Sequence, residues 1–273
     1  MTQDDMPLGR TTNYPESYDP ELLFPVPRVD NRRELGLGQG GWPWYGEDRW
    51  QAWEISWLRP DGVPRVAVGE FRVPADSPCL IESKSFKLYL NSLNNRVFPT
   101  QVELIRTLET DLSEKAGALV SARLFPVEEM RQAQARPSEA ALIDDAGGVV
   151  LPADEPLSHL VEARGERVQE RLCSHLLRSL CPVTGQPDWG TLLVEYDGPR
   201  IDRGALLGYI IGFREQRDFH EHCVERIFTD LQHHLGPARL SVGAWYTRRG
   251  GLDINPWRST DTGSAPGIRL CRQ

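Results

Sequence analysis

The sequence predicts an α+β protein in which antiparallel strands are backed by helices, with the pattern present once in each half. Two observations carry this. Period-two alternation recurs in both halves, and each half also holds an apolar stripe at helical spacing behind a capping signal. The composition agrees: 273 residues, 40% apolar and 26% charged, describe an ordinary globular chain with length for one or two cores.

Residues 1–48 are rich in Pro, Gly, Asn and Arg and read as an irregular arm. Gly36-Leu37-Gly38-Gln39-Gly40-Gly41 is a literal G-x-G-x-x-G, but no strand precedes it and Trp42-Pro43-Trp44 follows, so it reads as a loop and not as a dinucleotide fingerprint. Trp53, Ile55 and Trp57 alternate with Ala52, Glu54 and Ser56, a first strand. Pro64 to Val73 reads as a second. Ile81 to Leu90 reads as a third, with Phe86, Leu88 and Leu90 on one face. Thr100-x-x-Glu103 is a capping box, Leu104, Leu108 and Leu112 form a helical stripe, and Gly117 is a stop. Ala118 to Phe125 returns as a strand. Residues 131–157 lose all periodicity and read as a linker.

The second half repeats the outline. Arg167 to Leu180 fits a helix or a long strand. Thr191 to Tyr196 is a strand, and Asp202 caps a helix running to about Arg214. Asp218-x-x-Glu221 reads as a second capping box before Val224, Ile227, Phe228, Leu231 and Leu235. Ala238 to Thr247 alternates as a last clear strand.

Thirty-one Lys and Arg against 39 Asp and Glu give a net charge of −8, which argues against a general nucleic-acid or anionic-membrane binder. The longest apolar run, Ala205 to Phe213, is far shorter than the roughly 20 residues that span a bilayer. The start shows neither a basic nor an apolar leader region, so a cytoplasmic protein is expected. The five cysteines, Cys79, Cys173, Cys181, Cys223 and Cys271, include no C-x-x-C pair, so neither a zinc knuckle nor a redox dithiol is encoded.

Four stretches could carry chemistry. In Cys181-Pro-Val-Thr-Gly-Gln-Pro-Asp188-Trp-Gly190 a thiol and a carboxylic acid share a Pro/Gly loop. That pair suits addition to a polar multiple bond, sulfur attacking carbon while the acid protonates the other atom. The alternative is a turn in which Asp188 caps backbone amides. Phe219-His220-Glu221-His222-Cys223 is dense in ligating types, but His220 and His222 sit two apart on a helix and face different ways, so no metal is expected. Glu221 is either the N3 member of the capping box or a carboxylate presented to a guanidine-like donor pair. Ser83-Lys84-Ser85-Phe86-Lys87 alternates hydroxyl and ammonium groups, suited to phosphate contacts or to a solvated strand face. Arg248-Arg249-Gly250-Gly251 opens a tail with five Arg against two Asp from Trp245 onward, a weak anion-site signal.

Taken together, 81–89, 181–190, 219–228 and 246–258 resemble the NADPH-dependent nitrile reductases, the 7-cyano-7-deazaguanine reductases of queuosine biosynthesis, in their longer two-domain subgroup. The likeness covers nearly the whole chain, with 1–48 and 131–157 carrying little of it. The resemblance implies tandem tunnelling-fold domains at 49–130 and 158–273, each an antiparallel sheet backed by helices, with a barrel completed by oligomerisation. It implies that 167–180 is a strand and that Cys181 lies in the second domain. Cys181 is then the nucleophile that forms a thioimide with the nitrile carbon, and Asp188 protonates the nitrogen. Two NADPH reduce thioimide and imine to the amine, 7-aminomethyl-7-deazaguanine. His220 flanks the reacting group, Glu221 holds the ring, and Ile81, Glu82 and Ser83 contribute to the substrate pocket. Ser83, Lys84, Arg249 and Gly250 bind NADPH. Those groups lie far apart in sequence, so they form one site only if the two halves, or two subunits, come together; a homodimer with NADPH at such a junction is expected, with small-molecule ligands and neither nucleic acid nor membrane as partner. Two other readings stay open: a cyclohydrolase- or pterin-type enzyme of the same fold, and a non-enzymatic purine-binding module.

Overall fold

A computed structural model describes residues 14–38, 41–130, 132–149, 151 and 163–273. Chain contacts separate two compact units. One comprises Met1–Asn31, Asp48–Arg131 and Arg248–Asp253, the other Arg32–Glu47, Gln132–Thr247 and Ile254–Gln273.

In the first unit β1 (Pro25–Pro27) leads into α1 (Val29–Glu34), followed by β2 (Tyr45–Leu58), β3 (Pro64–Pro74), β4 (Cys79–Ile81), α2 (Ser83–Ser92), α3 (Gln101–Ala116) and β5 (Ser121–Phe125). β5, β3 and β2 lie side by side, with β3 antiparallel to β5 and Gly69 opposite Leu124. α3 forms as its sequence dictates. Thr100 Oγ1 accepts from the Glu103 amide at 3.2 Å, Leu104, Leu108 and Leu112 are buried, and Gly117 ends the helix in the left-handed region at φ 69°.

Two expectations are corrected here. The segment 1–48 is not wholly irregular: β1 pairs antiparallel with β4, Arg32 and Trp44 are buried, and Tyr45 already belongs to β2. Residues 81–90 are not a strand. Glu82 caps α2 by accepting from the amides of Lys84 and Ser85, both at 2.7 Å, and Phe86, Tyr89, Leu90 and Leu93 bury one helical face. The same apolar residues fit both periods, and the cap decides between them. Of the 36–41 glycines, Gln39 and Gly40 lie outside the described residues, and Gly38 falls in loop.

The second unit contains β6 (Ala141–Leu142), β7 (Ala163–Leu180), β8 (Pro187–Ile201), α4 (Arg203–Ile211), α5 (His220–Leu235), β9 (Arg239–Tyr246) and β10 (Leu252–Ser259), the first residues of β10 belonging to the first unit. The sheet order is β10-β9-β8-β7-β6. All pairs for which register is resolved are antiparallel except β6 on β7. So the span read as a linker contributes β6 to the sheet, while 152–157 lie outside the described residues. Asp202 caps α4 through the Ala205 amide at 3.0 Å, as expected, and a short 3-10 turn carries the chain to Glu215. β10 went unassigned in the sequence reading: Pro256 interrupts it, and all eight of its residues are buried, the polar Asp253, Asn255, Arg258 and Ser259 among them. Gly243 faces Trp257 across the β9–β10 ladder, where a Cβ would come within 2.4 Å of the indole.

The two units repeat one another in detail. Tyr89, the seventh residue of α2, donates to Asp111, the eleventh of α3, at 2.5 Å. Tyr209, seventh in α4, donates to Asp230, eleventh in α5, at 2.6 Å. Leu58 ends β2 with its amide on Arg96 O and its carbonyl accepting from Phe98 N. Leu180 ends β7 with its amide on Gln216 O and its carbonyl accepting from Asp218 N.

Candidate active site

The thiol sits on a hairpin narrower than the sequence suggested. The Cys181 amide donates to Gln186 O and its carbonyl accepts from Gly185 N, both at 2.9 Å, so the turn is closed by 181–186. Gly185 supplies the left-handed residue at φ 68°. Asp188 therefore lies on β8 and not on the loop, directly opposite Ser179 of β7. Alternate residues on a strand and opposed residues across a ladder share a face, which sets Cys181, Ser179 and Asp188 on one side of the hairpin. Cys181 is 5% exposed and Asp188 4%, so the pair occupies a sheltered position and not an open loop.

α5 brings the next group. His220, its first residue, places Nε2 3.3 Å from Asp188 Oδ2. Its ring stacks on Tyr246 with centroids 3.8 Å apart and planes 11° from parallel. Stacking fixes the imidazole plane, and the carboxylate fixes its rotation. His220 Nδ1 is buried with no hydrogen-bond partner among the described residues. Beneath this shell, burial pushes the Cys223 thiol and the Tyr246 phenol upward, so both stay protonated at neutral pH.

The capping box read at 218–221 is absent. Phe219 is the N-cap and contributes no side-chain bond, and Asp218 Oδ1 instead accepts from the Phe219 amide at 2.9 Å and meets His222 Nδ1 at 2.6 Å. Glu221 is thus the second helical residue, buried in the first turn, and not an N3 cap. Among the described residues no group of three or more ligating side chains could hold a metal ion.

The first unit assembles the remaining candidates. Ile81 ends β4, Glu82 caps α2, and Ser83 and Lys84 are its first two residues. Burial raises the Glu82 carboxyl above its usual value, while the two amides it caps pull it back down. Arg249 closes a tight turn onto Leu252, and Gly250, at φ 56°, backs onto α2 so closely that a Cβ would lie 3.3 Å from Lys87 Cδ and Cε. The Arg249-Gly250 turn therefore meets the helix of Ser83 and Lys84. Lys87, inside the same quoted stretch but not assigned a role from sequence, joins them. Two ammonium groups, a guanidinium, a hydroxyl and a turn amide form a donor set that fits phosphate oxygens.

A family model described as nitrile reductase, 7-cyano-7-deazaguanine-reductase N-term, matches residues 14–124, and one described as QueF-like protein matches 187–264. The NADPH-dependent 7-cyano-7-deazaguanine reductase of Chromohalobacter salexigens is 53% identical over 274 residues, covering 100% of this chain and 98% of that protein. The chain belongs to the 7-cyano-7-deazaguanine reductase family. Membership bears out the resemblance read from the four motifs, and the tunnelling-fold class of the reductases accords with antiparallel sheets backed by helices in both units. The crystal structure of the archaeosine synthase QueF-Like in the apo form shows 16% identity and a TM-score of 0.31, covering 37% of this chain and 99% of that one, a likeness too slight to bear on the reductase fold. The sequence reading missed Tyr246 and Ser179, which stand beside His220 and Asp188. Tyr246 opens one of the four motifs, but nothing in its spacing signals that it supports His220.

Proposed function

We propose that this chain reduces the nitrile of 7-cyano-7-deazaguanine to the primary amine 7-aminomethyl-7-deazaguanine, consuming two NADPH, as a step of queuosine biosynthesis. The observation that carries this is the convergence of Cys181, Asp188 and His220 at one sheltered hairpin in a chain 53% identical, end to end, to a named reductase of that substrate.

Cys181 as thiolate adds its Sγ to the nitrile carbon, converting the triple bond to the C=N of a covalent thioimide. Asp188 gives its proton to the nitrile nitrogen as the C–S bond forms, so the adduct is neutral. His220 holds Asp188 in place through Nε2 and presents Nδ1 to the reacting group. Glu221 offers two oxygens to the ring N–H and the exocyclic amino group of the deazaguanine. Ile81, Glu82 and Ser83 also contribute to substrate binding. Ser83, Lys84, Arg249 and Gly250, with Lys87, hold the NADPH phosphates. When bound, that cofactor would supply one hydride to the thioimide carbon, the C–S bond breaking to return the Cys181 thiolate and leave the imine, and, after exchange, a second hydride to the imine carbon, whose nitrogen takes up a proton. Sheltering of Cys181 and Asp188 keeps water from the imine between the two reductions. In this reading the segment 158–273 is the catalytic domain, 49–130 the supporting one, and a cytoplasmic homodimer completes the barrel.

The test is mass spectrometry of the protein mixed with 7-cyano-7-deazaguanine in the absence of NADPH. A gain equal to the whole substrate mass is expected on Cys181 and is expected to vanish in Cys181→Ala. An unmodified Cys181 in a preparation that turns over substrate would overturn the mechanism.

A further inference from the structure

The stretch that the sequence marks as irregular supplies one of two buried arginines that grip α5, the helix of His220 and Glu221. Arg32 grips Glu225 with two bonds, Nε to Oε2 at 3.0 Å and Nη2 to Oε1 at 2.7 Å. Arg258 of β10 takes the same carboxylate from another side, with Nε at 3.1 Å and Nη2 at 2.7 Å from Oε1. Its third nitrogen donates to Trp257 O at 2.9 Å. All three side chains are buried. The Arg32 guanidinium lies 4.2 Å from the centroid of Trp42, and Trp44 meets Phe228 edge-on at 5.6 Å.

Glu221, Glu225 and Phe228 stand at i, i+4 and i+7, one stripe of α5. Arg32 and Trp44 thus hold the second and third positions of the stripe whose first position is Glu221. A planar fork that donates two bonds to one carboxylate fixes angle as well as distance, which a point charge does not. We infer that Arg32, Glu225 and Arg258 are positioning residues for the substrate: by locking the rotation of α5 they set where the Glu221 carboxylate stands. This rests on the reading of Glu221 as the acceptor for the deazaguanine ring.

The experiment measures non-covalent affinity for 7-cyano-7-deazaguanine by calorimetry in a Cys181→Ala background, with Arg32→Met, Trp42→Leu and Glu221→Gln added singly. Each is assayed well below its own melting temperature. The same changes in the Cys181 enzyme give the Michaelis constants. Misplacing a contact by about an ångström costs up to roughly a hundredfold, so Arg32→Met is expected to weaken nitrile binding about tenfold or more while the Michaelis constant for NADPH stays within about twofold. Trp42→Leu removes the seat of the guanidinium without leaving a buried charge unpaired, and a smaller loss of about threefold in the same direction is expected. A lower melting temperature with unchanged nitrile affinity in both variants would make the cluster a stability element only and overturn the inference. Unchanged affinity in Glu221→Gln would overturn the Glu221 reading and the inference with it. Weakened affinity in Glu221→Gln beside intact affinity in Arg32→Met removes the inference alone.

Discussion

Replacing Asp188 by Asn exchanges one oxygen for an NH2 group of nearly the same size at a position 4% exposed, so the hairpin keeps its shape. Two things are lost. One is the contact of Oδ2 with His220 Nε2, 3.3 Å apart. A hydrogen bond contributes about 0.5–1.5 kcal/mol, and an amide retains part of it. The other is the proton that must reach the nitrile nitrogen as sulfur adds. A positioned general acid contributes about 10²–10⁴ in rate, which at 1.36 kcal/mol per decade is roughly 2.7–5.5 kcal/mol of barrier. The second loss is the larger and falls on the chemical step. Adduct formation is therefore expected to slow at least about a hundredfold while the variant still folds and binds substrate. Rapid quenching followed by mass spectrometry, without NADPH, reads the step directly. An adduct rate in Asp188→Asn within about threefold of the parent, well short of the hundredfold floor, would refute Asp188 as the proton donor.

Arg249→Ala is expected to raise the Michaelis constant for NADPH about tenfold to a hundredfold, the loss of one charge-assisted bond, with adduct formation untouched; loss of the adduct in a folded variant would move the arginine to the substrate site. Gly250→Ala places a side chain at φ 56° and 3.3 Å from Lys87, costing about 1–2 kcal/mol and lowering the melting temperature by roughly 2–8 °C, together with weaker NADPH binding. An unchanged melting temperature would show that the turn is not constrained. Glu82 gives a pH signature. Burial raises its carboxyl, so its contribution to stability is fullest below the unfolded value of 4.5 and is lost as pH rises through the higher folded value. Relative to Glu82→Gln, the parent should gain melting temperature as pH falls from neutral toward 5, and a pH-independent difference would contradict the burial effect.

Local signals were legible in the sequence and long-range ones were not. α3 is written out in full, cap, stripe and stop, because each signal lies within one helix. α2 was misread because Phe86, Leu88 and Leu90 satisfy both periods, and the Glu82 cap that settles the matter is not among the common capping residues. The thiol and acid were identifiable as a pair. Their shared face depends on the register that sets Ser179 opposite Asp188, and no residue type encodes a register. Arg32 looked like part of a solvated arm because the partner that buries it stands 193 residues away.

The repeat of Tyr89–Asp111 in Tyr209–Asp230, and of Leu58 in Leu180, lets each position in one unit be matched to its counterpart in the other. Cys181 follows Leu180, and the residue that follows Leu58 is Arg59, whose guanidinium bonds Asp61. The carboxylate that caps α2, Glu82, has Asp202 as its counterpart at the head of α4. At this matched position only one member of the repeat carries a thiol, so the chemistry proposed above is limited to a single covalent event per chain. A preparation saturated with nitrile should carry one adduct for each polypeptide, never two, however many copies assemble.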